Sequence, residues 1–173
     1  RRFLSAITPD GPIIFHETLQ TLCSRIYSIE DEYGASSRLL LAELRRLALE
    51  AGLDIITCAC PLCPEEKLEH LLIPSLGVGF TTSNSRHKVD FPAYRRIHAA
   101  RFTDEEQLRT KKQLLSFNRR AAKELLGEAA AIAAEARQKH DEMERFSIAA
   151  MDWHAVDALT GRVVAEIAAL AEG

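Results

Sequence analysis

The sequence predicts an α/β domain over residues 1–102, followed by an antiparallel helical hairpin over residues 103–173. Three observations carry this prediction. Apolar, β-branched runs alternate with helix-favouring segments up to about residue 100, the pattern of a parallel sheet with crossover helices. From Asp104 to about Phe146 no proline occurs, and only Gly127 interrupts residues that favour helix. Within that stretch Leu108, Leu115, Ala122, Ala129, Ala136 and Met143 recur at a constant heptad spacing, the mark of a helix with one packed seam.

Taken in order, "ITPDGPI" (Ile7 to Ile13) is a turn, because Pro-Asp-Gly-Pro breaks any periodicity. "IFHETLQTLC" fits a short helix with Phe15, Leu19 and Leu22 near one face. "RIYSI" is a strand candidate, and residues 35–51 form an apolar helix that Gly52 stops. "LDIITCAC" (Leu53 to Cys60) is apolar at nearly every position, which suits a strand buried on both faces of a parallel sheet. "EEKLEHLL" is predicted as another short helix and "LGVGFTTSN" (Leu76 to Asn84) as a third strand. Ser85 to Ala100 is loop-like, with a strand candidate at "RRIHAARF". In the tail, Asp152 is placed to cap a second helix. Its Val156, Leu159, Val163, Ile167 and Leu170 form a stripe that matches the first.

Bulk properties narrow the function classes. A 47% hydrophobic and 27% charged chain is of ordinary globular composition, and a net charge of −3 gives no broad basic face for nucleic acid. The apolar runs are short or interrupted by charge, so no membrane span is expected. Four cysteines are too few for a disulfide scaffold, which points to a reducing, cytoplasmic setting. The chain opens with Arg1 rather than Met and reads as a piece of a longer protein.

The most informative stretch is "IYSIEDEYGASSRLLLAELRRLALEAG" (Ile26 to Gly52), a strand, a turn and a helix where a phosphate-binding loop would sit. Such a loop needs G-x-x-x-x-G-K-[ST]: glycines expose backbone N–H groups, lysine reaches the phosphates, and the hydroxyl holds magnesium. Laid on this chain, the pattern puts Asp31 at the first glycine, Ser36 at the second, Ser37 at the lysine and Arg38 at the hydroxyl position. Only Gly34 is left as a flexible position. The loop also carries Glu30, Asp31 and Glu32 in a row. One such acid about 5 Å from a phosphate charge would repel it by roughly 3 kcal/mol at an effective dielectric of about 20. Bound ATP or ADP is therefore disfavoured, although Ser36, Ser37 and the helix N-terminus retain the makings of a weak anion site.

The phrase "RFLSAITPDGPIIFHETLQTLCSRIYSIEDEYGASSRLL", with "CPLCPEEKLEHLLIPSLGVGFTTSN" after it, resembles the C-terminal half of a family of uncharacterised bacterial proteins. Those proteins are built from two tandem P-loop ATPase-like halves. The resemblance covers roughly residues 2–90 and implies a P-loop NTPase-like sheet and a partner half, another P-loop half or protein subunit. ATPase activity does not carry over, because Asp31, Ser36, Ser37 and Arg38 replace the working loop. The expected role is a non-catalytic, pseudo-ATPase or regulatory half of a larger ATPase, with homodimerisation through the helices as a further option.

Two other candidate sites compete. Cys58, Cys60, Cys63 and His70 include a Cys-Pro-Leu-Cys step after a strand, which suits a thioredoxin-like redox pair or a zinc set. Buried small thiols beside a turn are the plainer reading, since only one knuckle is present. Thr82, Ser83, Asn84 and His87 follow the third strand, where ligands of open α/β sheets collect, and Arg95 and Arg96 add a small basic patch. Those residues offer an alternative function, binding of a nucleotide or another phosphorylated ligand by an unconventional loop, with Arg38 or Arg95 and Arg96 standing in for the lost lysine. A cysteine-based redox or zinc module is the third reading.

Overall fold

The computed structural model describes residues 2–171. Their contacts divide the chain into two compact units, one running to Ala133 and one from Ala134 onward.

The first unit is an α/β structure around a mixed sheet of five strands. Strands β1 (Ser5–Thr8) and β2 (Gly11–Ile14) form an antiparallel hairpin, so the Pro9–Asp10 turn joins two strands. Helix α1 (His16–Leu22) follows, then β3 (Arg25–Glu30), helix α2 (Ala35–Glu50) and β4 (Ile56–Ala59). Strands β5 (Leu68–Ile73), β6 (Val78–Ser83) and β7 (Arg95–His98) complete the sheet, in the order β4-β5-β6-β3-β7. Strand β3 pairs in parallel with both β6 and β7, whereas β5 is antiparallel to both its neighbours.

Two expectations are corrected here. "EEKLEHLL" is not a helix: Leu68–Ile73 is a strand between two others, and Pro74 ends it. A near-continuous apolar run fits a buried strand or a helix equally well, and pairing on both sides decides it. The sheet is consequently mixed rather than parallel. The run from Leu53 to Cys60 supplies a short edge strand paired antiparallel to β5, because a hairpin partner follows it directly.

Strand alternation sorts the apolar residues onto two faces. On one face Ile26, Cys58 and Leu72 pack with Leu4, with Leu19 and Cys23 from the α1 region, and with Val89 and Phe91 from the β6–β7 connection. On the other, Ile29 and Leu71 pack against Leu41 of α2, flanked by Leu40, Leu44, Phe80 and Ile97. Tyr27 and Phe80 face each other across β3 and β6 in register, their rings stacked at 5.1 Å. Gly52, at φ +68, closes α2 as its sequence position suggests.

Beyond the sheet, Asp104 caps α3 (Glu105–Thr110), accepting the Glu106 and Gln107 N–H groups at 3.0 and 3.1 Å. Helix α4 (Lys112–Ala150) follows, so the expected single helix from Asp104 breaks once, at Lys111. In the second unit only Met151 and Asp152 separate α4 from α5 (Trp153–Ala171). Asp152 caps α5 through the Ala155 N–H at 3.0 Å. Val156 is half-buried, but Leu159, Val163, Ile167 and Leu170 are exposed. The seam predicted for these residues is thus not closed by the described chain. Among the described residues, no helix is long and apolar enough to cross a membrane.

Candidate functional site

The C-terminal ends of β3, β6 and β7 lie side by side, since the three strands are parallel. From β3 the chain passes to α2 on one face of the sheet. From β6 it passes through the Val89–Phe91 segment on the other face. A crevice opens where neighbouring parallel strands diverge in this way, and ligands of open sheets favour that position.

Glu30, Asp31 and Glu32 leave β3 at this point, and each has a different partner. Asp31 is buried, and its carboxylate accepts backbone N–H groups from Tyr33 at 3.1 Å, Gly34 at 2.9 Å and Ser37 at 2.7 Å. Burial pushes its pKa up, yet the N–H bonds from Ser37, Gly34 and Tyr33 outweigh it and hold the carboxyl below its usual value. Gly34 precedes the helix at φ +75, a left-handed conformation that glycine adopts without strain. The free N–H groups at the start of α2 are the ones a phosphate would seek, and Asp31 already holds Ser37's. The Ser37 hydroxyl is buried beside the same carboxylate and also contributes to lowering the Asp31 pKa.

Glu30 is held by Arg96 at 2.8 Å and by His98, and the Arg96 hydrogen bond leads in lowering its pKa. Glu32 accepts the Ser85 N–H at 2.9 Å and the Ser85 hydroxyl, with Arg119 of α4 at 3.4 Å. Partial burial raises its pKa, and the Ser85 bonds and Arg119 lower it by more. Arg119 also lies 5.5 Å from the centre of the Tyr33 ring. The three acids line two adjoining cavities. One, about 580 Å³, is walled by Tyr33, Leu108, Arg109, Lys112 and Arg119. The other, about 450 Å³, is walled by Ser83, Asn84, Lys88 and Arg96. The first has the size of a small-molecule site.

The remaining loop positions serve the helix start. Ser36 is half-buried in the first turn of α2, and Arg38 is exposed, 3.6 Å from Glu66. At the end of β6 the Ser83 hydroxyl accepts the Val89 N–H, and Asn84 Oδ1 accepts the Arg86 and His87 N–H groups. Thr82 Oγ1 lies 3.3 Å from His87 Nε2. Arg95 and Arg96 are both exposed on β7, and of the two Arg96 is a wall of the smaller crevice cavity. The structure therefore gathers Asp31, Ser83, Asn84 and Arg96 around one crevice.

Cysteine chemistry finds little support. Cys58 and Cys60 are buried and Cys63 half-buried, all as free thiols. Burial pushes Cys58 up to about 11. Burial and the Glu69 carboxylate raise Cys60. Both shifts oppose the thiolate that redox attack requires. Among the described residues, no three of Cys58, Cys60, Cys63 and His70 bring ligand atoms within 4.8 Å of one another. The group that does, His140, Asp141 and Glu144, is exposed on α4. His70 instead lies fully buried, with Nδ1 2.8 Å from Thr81 Oγ1.

Lys67 and Glu69 are the residues that sequence reasoning passed over. Lys67 Nζ lies so close to Gly34 that a Cβ on that glycine would stand 3.3 Å away, so this ammonium borders the turn between β3 and α2. Its only sequence signal is a basic residue between two strands. Glu69 is buried in the sheet, which no local pattern announces. Set against known protein families, curated proteins and solved structures, the chain matches none.

Proposed function

We propose that this chain is a non-hydrolysing, P-loop-like module that acts as a structural or regulatory half of a larger ATPase. The observation that carries the reading is the Asp31 carboxylate, which sits as a built-in anion on the N–H groups of Tyr33, Gly34 and Ser37. A phosphate arriving there would have to displace a bonded, buried carboxylate and then meet its charge. The exposed stripe of α5 is consistent with a partner surface supplied from outside the described chain.

A second reading follows from Lys67, whose ammonium borders Gly34. In that reading the loop still takes a phosphorylated ligand, with Lys67 replacing the lysine that the loop lacks. Calorimetric titration with Mg-ATP and Mg-ADP separates the two. A native chain silent to millimolar nucleotide, with binding gained in Asp31→Gly, supports the built-in anion. Micromolar binding by the native chain, lost in Lys67→Ala, overturns it in favour of the second reading.

A further inference from the structure

Strand β5 carries an irregularity with a chemical consequence. His70 pairs with Cys58 and Leu68 with Ala59, so Glu69 has no opposite residue and forms a bulge. Consecutive strand residues ordinarily point to opposite faces, and a bulge re-aims one of them. Glu69 Oε2 accordingly lies 4.0 Å from His70 Nε2, although the two are sequence neighbours. That His70 nitrogen is buried with no hydrogen-bond partner among the described residues.

The bulge directs Glu69 into a cavity of about 110 Å³ beneath the β1–β2 hairpin. Glu69 is 6% exposed, and its carboxylate accepts the Ser5 hydroxyl at 2.6 Å and interacts with the Cys60 thiol. A carboxylate offers about four lone-pair positions, so about two remain for a ligand. Burial raises its pKa, while the hydrogen bonds from the Ser5 hydroxyl and the Cys60 thiol lead in bringing it below its usual value, which keeps Glu69 ionised. His87, Lys67, Arg86 and Asn84 line the same cavity, while Ile7, Ile14 and Leu62 supply apolar walls. His87 is held neutral by burial and by Lys67 and Arg86, against the opposing pull of Glu69.

The cavity therefore combines a buried acceptor with two cations and a neutral imidazole, in a space that admits only a small molecule. We propose that it binds a small α-amino or α-hydroxy carboxylic acid, its amine or hydroxyl donating to Glu69 and its carboxylate meeting Lys67 and Arg86. A simple cation fits less well, because Lys67 and Arg86 repel it. A simple anion fits less well, because it leaves Glu69 without a donor and meets its charge. The site shares Lys67 with the second reading of the β3–α2 loop, whereas Glu69 and Arg86 belong to this cavity.

The test is titration of the full chain with L-alanine and L-lactate, followed by the His70 and His87 imidazole resonances and by thermal unfolding. Acetate, which lacks the donor, and ethylamine, which lacks the acid, are the controls. The expected result is saturable movement of the His87 resonances with alanine or lactate, and binding at least about tenfold weaker for both controls. Arg86→Ala, an exposed position, keeps the fold and weakens binding. Glu69→Gln, checked for folding by circular dichroism, abolishes it. No saturable response to alanine or lactate at millimolar concentration overturns the proposal. So does equal binding of acetate, or binding unchanged in Arg86→Ala.

Discussion

The Asp31 carboxylate accepts the Ser37 backbone N–H at 2.7 Å, so the residue that follows β3 also caps α2. An acid at this position is a stabilising partner of the helix start, with the N–H groups as its counter-charge. Replacing Asp31 by Ala leaves these N–H groups unpaired and costs about 1–2 kcal/mol of stability. Asn retains one acceptor and costs less. Because the folded pKa is lowered, the Asp31 contribution is present above the unfolded value and is lost as pH falls through the folded one. Urea unfolding of wild type and Asp31→Asn at neutral and acid pH checks both points: the two proteins converge in acid and separate at neutrality.

His70 predicts a second, distinct acid response. Burial drives its pKa from 6.5 down to about 3, with Glu69 pulling in the opposite direction. The unfolded chain therefore takes up a proton that the folded chain refuses, and stability falls as pH drops from about 6.5 to about 3. The slope approaches ~1.4 kcal/mol per pH unit for one proton. His70→Leu removes that slope while Glu69 and His87 still titrate, so the difference between wild type and variant isolates His70. Equal pH slopes for the two proteins would exclude a buried neutral imidazole.

The contrast between Asp31 and Glu69 indicates what sequence reveals. The β3–α2 unit was legible because its signals are local: a β-branched run, Gly34 at the turn, an apolar helix and Gly52 at its end. The absence of the G-x-x-x-x-G-K-[ST] pattern was legible too, since it concerns residue types at fixed spacing. The structural part played by Asp31 was not, because it was read as a repulsive charge and only folding brings the Ser37 N–H to it. Strand β5 was misread since "LEHLLI" carries no period that separates helix from strand, and its acidic prefix favours helix. Glu69 and Lys67 acquire their positions from a bulge and from a turn that crosses toward α2, both products of tertiary pairing.

The Glu30–Arg96 pair makes a negative prediction. Its atoms are 2.8 Å apart, but the two side chains are 30% and 43% exposed. Screening and the entropy of fixing both side chains leave such pairs worth about 0–1 kcal/mol. Arg96→Ala should lower stability by less than about 1 kcal/mol in denaturant titration. A larger loss would mean that Arg96 organises the crevice, with Glu30 and His98 depending on it.

Gly79 tests the packing of α1 on the sheet. A Cβ at this position would stand 3.2 Å from Cys23 Cβ, Cys23 Sγ and Leu19 Cδ1, closer than ordinary van der Waals contact. Leu19 is fully buried and Cys23 nearly so, which leaves them little room to retreat. Gly79→Ala should therefore destabilise by about 1–3 kcal/mol, as overpacked cores do. Some compensation is expected, because alanine loses less backbone entropy than glycine in a strand. Cys23→Ala removes one of the clashing side chains, so in the double variant the Gly79→Ala cost should shrink. A double-mutant cycle by denaturant unfolding reads this coupling directly. If the two effects simply add, Leu19 rather than Cys23 sets the distance between α1 and β6.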